Sequence, residues 1–223
     1  MGMWPPAVRL IAAATLAATS AGAQASGVVD EATFSFTRAG APFGTESFKI
    51  IRRLGANGVE YVVQATRTIE GKVVRPGMTI DSSGSPTAYT RIVPGQGQMT
   101  ARRAMNRLTV NEEGPQASSR DYVFAPGSLI LDDDVIHQLY FVTWRDPRPF
   151  GFVSPTAKTT AQTALVETGA EAVTIGRNTV PAAKYVFGEG DDRREIWVDS
   201  SRRLLKVAHP ARQLIGTRDQ LPR

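Results

Sequence analysis

The chain has 223 residues, 42% hydrophobic and 21% charged, with 26 basic against 21 acidic side chains, a net charge of +5 and no cysteine. That length buries a full core without a disulfide or structural metal. The missing cysteine excludes disulfides, thiolate nucleophiles, cysteine-ligated zinc or iron–sulfur centres and a lipidated N-terminal cysteine.

Residues 1–25 divide into a head with Arg9, an apolar run Leu10 to Ala18, and a small-residue end Ala21-Gly22-Ala23-Gln24-Ala25. This is the layout of a secretory signal peptide, with cleavage expected after Ala25 or Ala23. The run is too short and too rich in Ala and Thr for a membrane span, and no later segment is long and apolar enough to be one. The expected mature chain is therefore soluble, periplasmic or secreted, with no transmembrane segment. Beyond Ala25 it carries 25 basic and 21 acidic residues, a net +4. Export makes nucleic acid an unexpected partner, and anionic lipid or cell-wall polymer the natural counterpart of that charge. Paired arginines recur at Arg52-Arg53, Arg102-Arg103, Arg193-Arg194 and Arg202-Arg203. On a strand each pair splits between faces, which suits solvated outer positions that resist edge aggregation.

From Thr33 the chain reads as short alternating runs of Val, Ile, Thr, Phe and Tyr between Gly and Asn turns, an antiparallel β pattern. Thr33 to Arg38 puts Phe34 and Phe36 on one face, and Phe43 to Leu54 groups Phe48, Ile50 and Leu54. Ala56-Asn57-Gly58 predicts a type I′ hairpin turn into a strand from Gly58 to Ile69. Strands are expected at Met78 to Asp81, Pro86 to Val93, Gln98 to Met105, Arg107 to Asn111 and Arg120 to Phe124. With no crossover helix among them, a parallel dinucleotide-binding sheet is disfavoured, and Gly95-x-Gly97 reads as a turn.

The period changes at Leu131 to Arg145, where Asp132-Asp133-Asp134 leads Val135, Ile136, Leu139, Tyr140, Val142 and Trp144. This predicts one helix over about 132–145, capped by the Asp run, closed by Pro147 and Pro149, and apolar around most of its circumference. After Pro155 strands resume at Ala161 to Glu167, Ala170 to Ile175, Pro181 to Phe187, Arg194 to Asp199 and Leu204 to His209. The division is residues 1–25 as signal peptide, 26–215 as a single antiparallel β domain with an inserted helix, and 216–223 as a polar tail.

The chemistry is sparse. The two histidines, His137 and His209, sit in the apolar helix and before Pro210, and both read as structural; no Gly-x-Ser-x-Gly elbow occurs. The Asp triplet lacks the alternate spacing of a calcium loop. No catalytic residue, metal site or cofactor is expected. The aromatic set Phe34, Phe36, Phe48, Tyr61, Tyr140, Trp144 and Trp197 reads as core, or in part as the wall of an apolar cavity if the sheet is curved and incompletely filled.

The order of parts runs from export leader through strands to the helix Asp134-Val135-Ile136-His137-Gln138-Leu139-Tyr140-Phe141. It then reaches Arg194-Glu195-Ile196-Trp197-Val198-Asp199 and Arg203-Leu204-Leu205-Lys206-Val207. Over residues 33 to 214 it resembles uncharacterised bacterial envelope proteins similar to the lipoprotein-carrier half-barrels. The resemblance implies an open, strongly bent antiparallel sheet with helices on its concave face and a cleft that accepts acyl chains. It transfers no functional residue, and without an attachment cysteine the chain is not itself a lipoprotein.

The expected fold is mainly all-β, one curved antiparallel sheet or open half-barrel around one buried helix. The expected function is non-enzymatic binding of a hydrophobic or amphiphilic ligand, such as a lipid. Val135, Ile136, Leu139, Tyr140 and Trp144 would face a cavity bounded by Phe34, Phe36 and Phe48. The alternative is a structural or interaction subunit that docks an envelope protein partner, with a filled core and no ligand.

Overall fold

The computed structural model describes residues 26–115, 117–132, 135–145 and 149–222; the expected leader, with both cleavage positions, lies outside them. The alternating runs become β1 (Gly27–Arg38), β2 (Ala41–Gly55), β3 (Gly58–Ile69), β4 (Lys72–Asp81), β5 (Pro86–Val93), β6 (Gly97–Ala104), β7 (Arg107–Glu113) and β8 (Ser118–Val123). After β9 (Leu129–Ile130) come α1 (Ile136–Val142), β10 (Phe150–Ser154) and β11 (Thr159–Thr163). The chain then runs through β12 (Val166–Ile175), β13 (Asn178–Phe187), β14 (Arg194–Val198), β15 (Leu204–His209) and β16 (Leu214–Arg218).

Thirteen strands form one antiparallel sheet in the order β12-β13-β14-β15-β16-β1-β2-β3-β4-β5-β6-β7-β8. Its edges, β12 and β8, do not pair with each other, so the sheet is an open, curved half-barrel. Neighbours in sequence are neighbours in the sheet except at β16 and β1, where Phe34 lies opposite Arg218 and Arg38 opposite Leu214. Gly216, Thr217 and Arg218, expected in a loose tail, are therefore in the middle of the sheet, and Arg218 is buried. Their polar character concealed a strand whose partner is remote in sequence.

Strand alternation sends one face inward: Phe34 and Phe36, Phe48 and Ile50, Met78 and Ile80, Leu108 and Val110 are all buried. Leu54, expected on that face, is 74% exposed, because β2 runs past the core to its hairpin tip. The tip reverses at Ala56-Asn57 as expected, but of Asn57 and Gly58 it is Gly58 that has positive φ, +105°. The turn is therefore not the expected type I′.

The concave face is filled by the segment between β8 and β12. Here β10 pairs parallel with β9 and antiparallel with β11, forming a small second sheet. The helix covers Ile136–Val142 instead of 132–145, with Val135 as an extended N-cap that offers no side-chain hydrogen bond. Asp132 does not cap it, because other partners take its carboxylate, and Asp133 and Asp134 lie outside the described residues. Burial around the helix is nearly complete, with Leu139 the half-buried exception.

Gly216 of β16 lies against the helix with no room for a side chain. A methyl group there would fall 2.7 Å from Ile136 Cδ1, 3.0 Å from Val207 Cγ2 and 3.3 Å from Phe36 Cε1. Gly216→Ala is expected to destabilise by about 1–3 kcal/mol through overpacking. A urea unfolding midpoint unchanged from wild type would contradict that contact.

The hairpin of β12 and β13 carries a second cluster on the opposite face, where Val173, Ile175 and Ala182 pack with Trp197 and Leu205. Trp197 is thus buried outside the main core. Lys184 and Lys206 place Nζ 4.8 and 4.4 Å from its ring centroid, and its Nε1–H donates to Glu171 Oε2 at 2.8 Å.

Candidate functional site

Packing on the concave face is incomplete along one side of α1. A cavity of about 430 Å³ remains between Phe36 of β1, Val135, Ile136 and Leu139 at the helix, and Phe152, Ser154 and Thr159 to Ala161 of the small sheet. Phe187, Arg194, Val207, Ala208, His209 and Leu214 line it from the large sheet. The volume lies in the range of small-molecule sites, roughly 300–1,000 Å³. Leu139 is half-buried because its side chain faces this space.

Charged and titratable groups enter the wall at two places. Asp132 is buried, and its carboxylate accepts from Tyr89 Oη at 2.5 Å, Thr156 Oγ1 at 2.8 Å and Thr156 N at 3.0 Å. Burial pushes the Tyr89 phenol well above its ordinary pKa, and the neighbouring Asp132 charge pushes it further, so the hydroxyl stays a donor. Asp132 N–H donates to Gln138 Oε1, which ties the segment before the helix to the helix itself.

The second place is the turn between β13 and β14 with the end of β15. Arg194 Nη1 donates to Asp192 O at 2.7 Å and lies 2.9 Å from His209 Nε2, which is 2.7 Å from Asp191 O. The turn is tight: Gly188 has φ +76°, and a Cβ there would fall 2.3 Å from Asp192 O. Gly188 N–H donates to Thr163 Oγ1 at 2.8 Å, joining this turn to β11.

Of the eight residues expected to bound a cavity, the structure brings Phe36, Val135, Ile136 and Leu139 to it. Phe34, Phe48, Tyr140 and Trp144 pack elsewhere in the core. Phe34 stacks on Phe48 with ring centroids 6.0 Å apart, and Trp144 meets Tyr61 at 4.8 Å and Phe141 at 5.0 Å. The difference is one of helix face, since Tyr140 and Trp144 turn away from the side that Leu139 occupies. Sequence reasoning missed β10, whose signal was the short alternation Phe150-x-Phe152 between prolines, and set the strand that forms β11 two residues late, at Ala161 to Glu167. It also missed Arg194 and His209, which only the pairing of β14 and β15 brings together.

His137 lies away from this cavity. It is fully buried, with Nδ1 2.9 Å from Glu46 Oε1, while the same carboxylate accepts from Ile136 N at 3.1 Å and His137 N at 2.9 Å. The helix cap expected from the adjacent Asp run is supplied by a buried Glu on β2. No group of three or more His, Asp or Glu that could hold a metal ion occurs among the described residues, and no helix there is long and apolar enough to cross a membrane.

Fold and site together define an open antiparallel half-barrel, filled by a short helix and a small sheet, that keeps one apolar cavity beside the helix. No protein-family model matches the sequence, and no curated protein matches it. Among solved structures it is similar to the crystal structure of a beta-barrel-like protein of domain of unknown function DUF1849 from Brucella abortus. The TM-score is 0.48 at 9% identity, covering 85% of this chain and 94% of that one.

Proposed function

We propose that the protein is an exported, non-enzymatic binder of a hydrophobic or amphiphilic small molecule, held between α1 and the curved sheet. The observation that carries this reading is the 430 Å³ cavity lined by Phe36, Ile136, Leu139, Phe152, Phe187 and Leu214. The leader-like layout of residues 1–25 supports the export part. Each buried methylene contributes about 0.8 kcal/mol, so an alkyl chain of about ten carbons approaches micromolar affinity before ordering losses.

The test is native mass spectrometry of the protein recovered from its own host, where the mass also shows whether the chain begins at Ser26, together with titration of a neutral apolar dye such as N-phenyl-1-naphthylamine. Leu139→Trp should obstruct the cavity beside the helix and weaken dye binding by about tenfold or more, while leaving the unfolding midpoint near wild type. No dye binding and no co-purifying ligand would reject this reading in favour of a structural or interaction subunit.

A further inference from the structure

We propose that the cavity selects an amphiphile with an anionic oxygen head, a carboxylate or a phosphate monoester, met by the guanidinium of Arg194 with His209 beside it. This inference rests on the ligand-binding reading and adds a head group to it. Three charged side chains, Asp132, Asp192 and Arg194, line the cavity together with the titratable His209.

The three charges differ in what they can offer a ligand. Asp132 is buried and already accepts three hydrogen bonds, so a cationic head would have to displace Tyr89 or Thr156 to reach it. Asp192 is exposed at the end of a short turn, where water and salt screen its charge. Arg194 is half-buried against apolar wall, where a charge is felt more strongly than in open solvent.

Arg194 is also positioned. Nη1 donates to Asp192 O, and His209 Nε2 lies 2.9 Å from Nη1 and 2.7 Å from Asp191 O, able to accept from the first or donate to the second but not both. A guanidinium keeps its charge at any physiological pH, and its planar array of N–H donors matches the oxygens of a carboxylate or phosphate. The apolar chain of the same ligand would then run along Val207, Ile136 and Leu139.

The experiment is competition for N-phenyl-1-naphthylamine by four ligands of one chain length: dodecanoate, dodecyl phosphate, dodecanol and dodecylamine. In the wild-type protein the two anions should bind about tenfold more tightly than the alcohol, with the amine weakest. A preference between the anions would assign the head. R194Q should bring anion and alcohol within about twofold of each other, and R194K, which keeps the charge without the planar fork, should keep only part of the difference. Equal affinities in the wild type, tightest binding by the amine, or an equal loss for all four ligands in R194Q would overturn the anionic head while leaving the cavity a binding site. Failure of all four to displace a bound dye would overturn the anionic head alone, whereas failure of the dye to bind, with no co-purifying ligand, would overturn both readings. The wild-type ranking decides the matter even if R194Q does not fold.

Discussion

Replacing Arg218 by Met, or Asp30 by Leu, is expected to cost about 3–5 kcal/mol, because either change strands the partner charge at a buried position. The two side chains are 2% and 3% exposed. Arg218 Nη2 donates to Asp30 Oδ1 at 2.7 Å and to Glu31 O at 2.9 Å, while Nη1 donates to Asp30 Oδ2 at 2.9 Å and Leu204 O at 3.3 Å. Nε donates to Gln220 O at 3.1 Å, so all five N–H groups are satisfied. A whole domain is stable by about 5–15 kcal/mol, so a single substitution here removes a large share. The double replacement Asp30→Leu with Arg218→Met should be less damaging than either alone, since no unpaired charge remains. Urea unfolding at constant slope measures all three; single variants that lose less than about 1 kcal/mol would show that the pair is not sealed from water.

Glu46→Leu is expected to cost about 3 kcal/mol or more. It removes the acceptor for Ile136 N–H, His137 N–H and the His137 ring together, and each stranded buried donor costs about 1–3 kcal/mol. Because α1 has no capping side chain of its own at Val135, the loss should also loosen the helix against the sheet. Near-ultraviolet circular dichroism of Trp144, which packs on Phe141 and Tyr61, would report that loosening. Glu46→Gln keeps one oxygen and should cost less. In a double-mutant cycle with His137→Phe, a coupling below about 0.5 kcal/mol would show that the ring contact contributes little.

These two buried sites show what the linear sequence conveys and what it conceals. The inward faces of the strands were legible because a period of two is local: Phe34 and Phe36, or Phe48 and Ile50, announce a buried face within a few residues. The Asp30 pairing with Arg218 spans 188 residues, and the capping of α1 by Glu46 spans 90. No local pattern marks Glu46 as buried, and Gly216-Thr217-Arg218 reads as an end because Gly, Thr and Arg favour no strand face. The Asp triplet before the helix offered a cap at the right place, but Tyr89 and Thr156 compete for Asp132, and tertiary partners won. Half of the expected cavity residues reached the cavity because helix periodicity located the apolar turns without saying which side would stay uncovered. That side was decided by β9 to β11, of which only the β11 region was read as strand, at Ala161 to Glu167; β9 has two residues and β10 lies between prolines.

The junction of β16 with β1 also carries a kinetic consequence. Strands β1 to β8 and β12 to β15 can each zip up as a meander from one hairpin to the next, by contacts close in sequence. The two halves become one sheet only when β16 docks on β1, after nearly the whole chain has been made, and closing so large a loop is slow. Until that moment β1 presents a bare inner edge with Phe34 and Phe36 uncovered, a surface on which another chain's strand can settle. The step that unites the fold is therefore also the interval in which it is most open to misassembly.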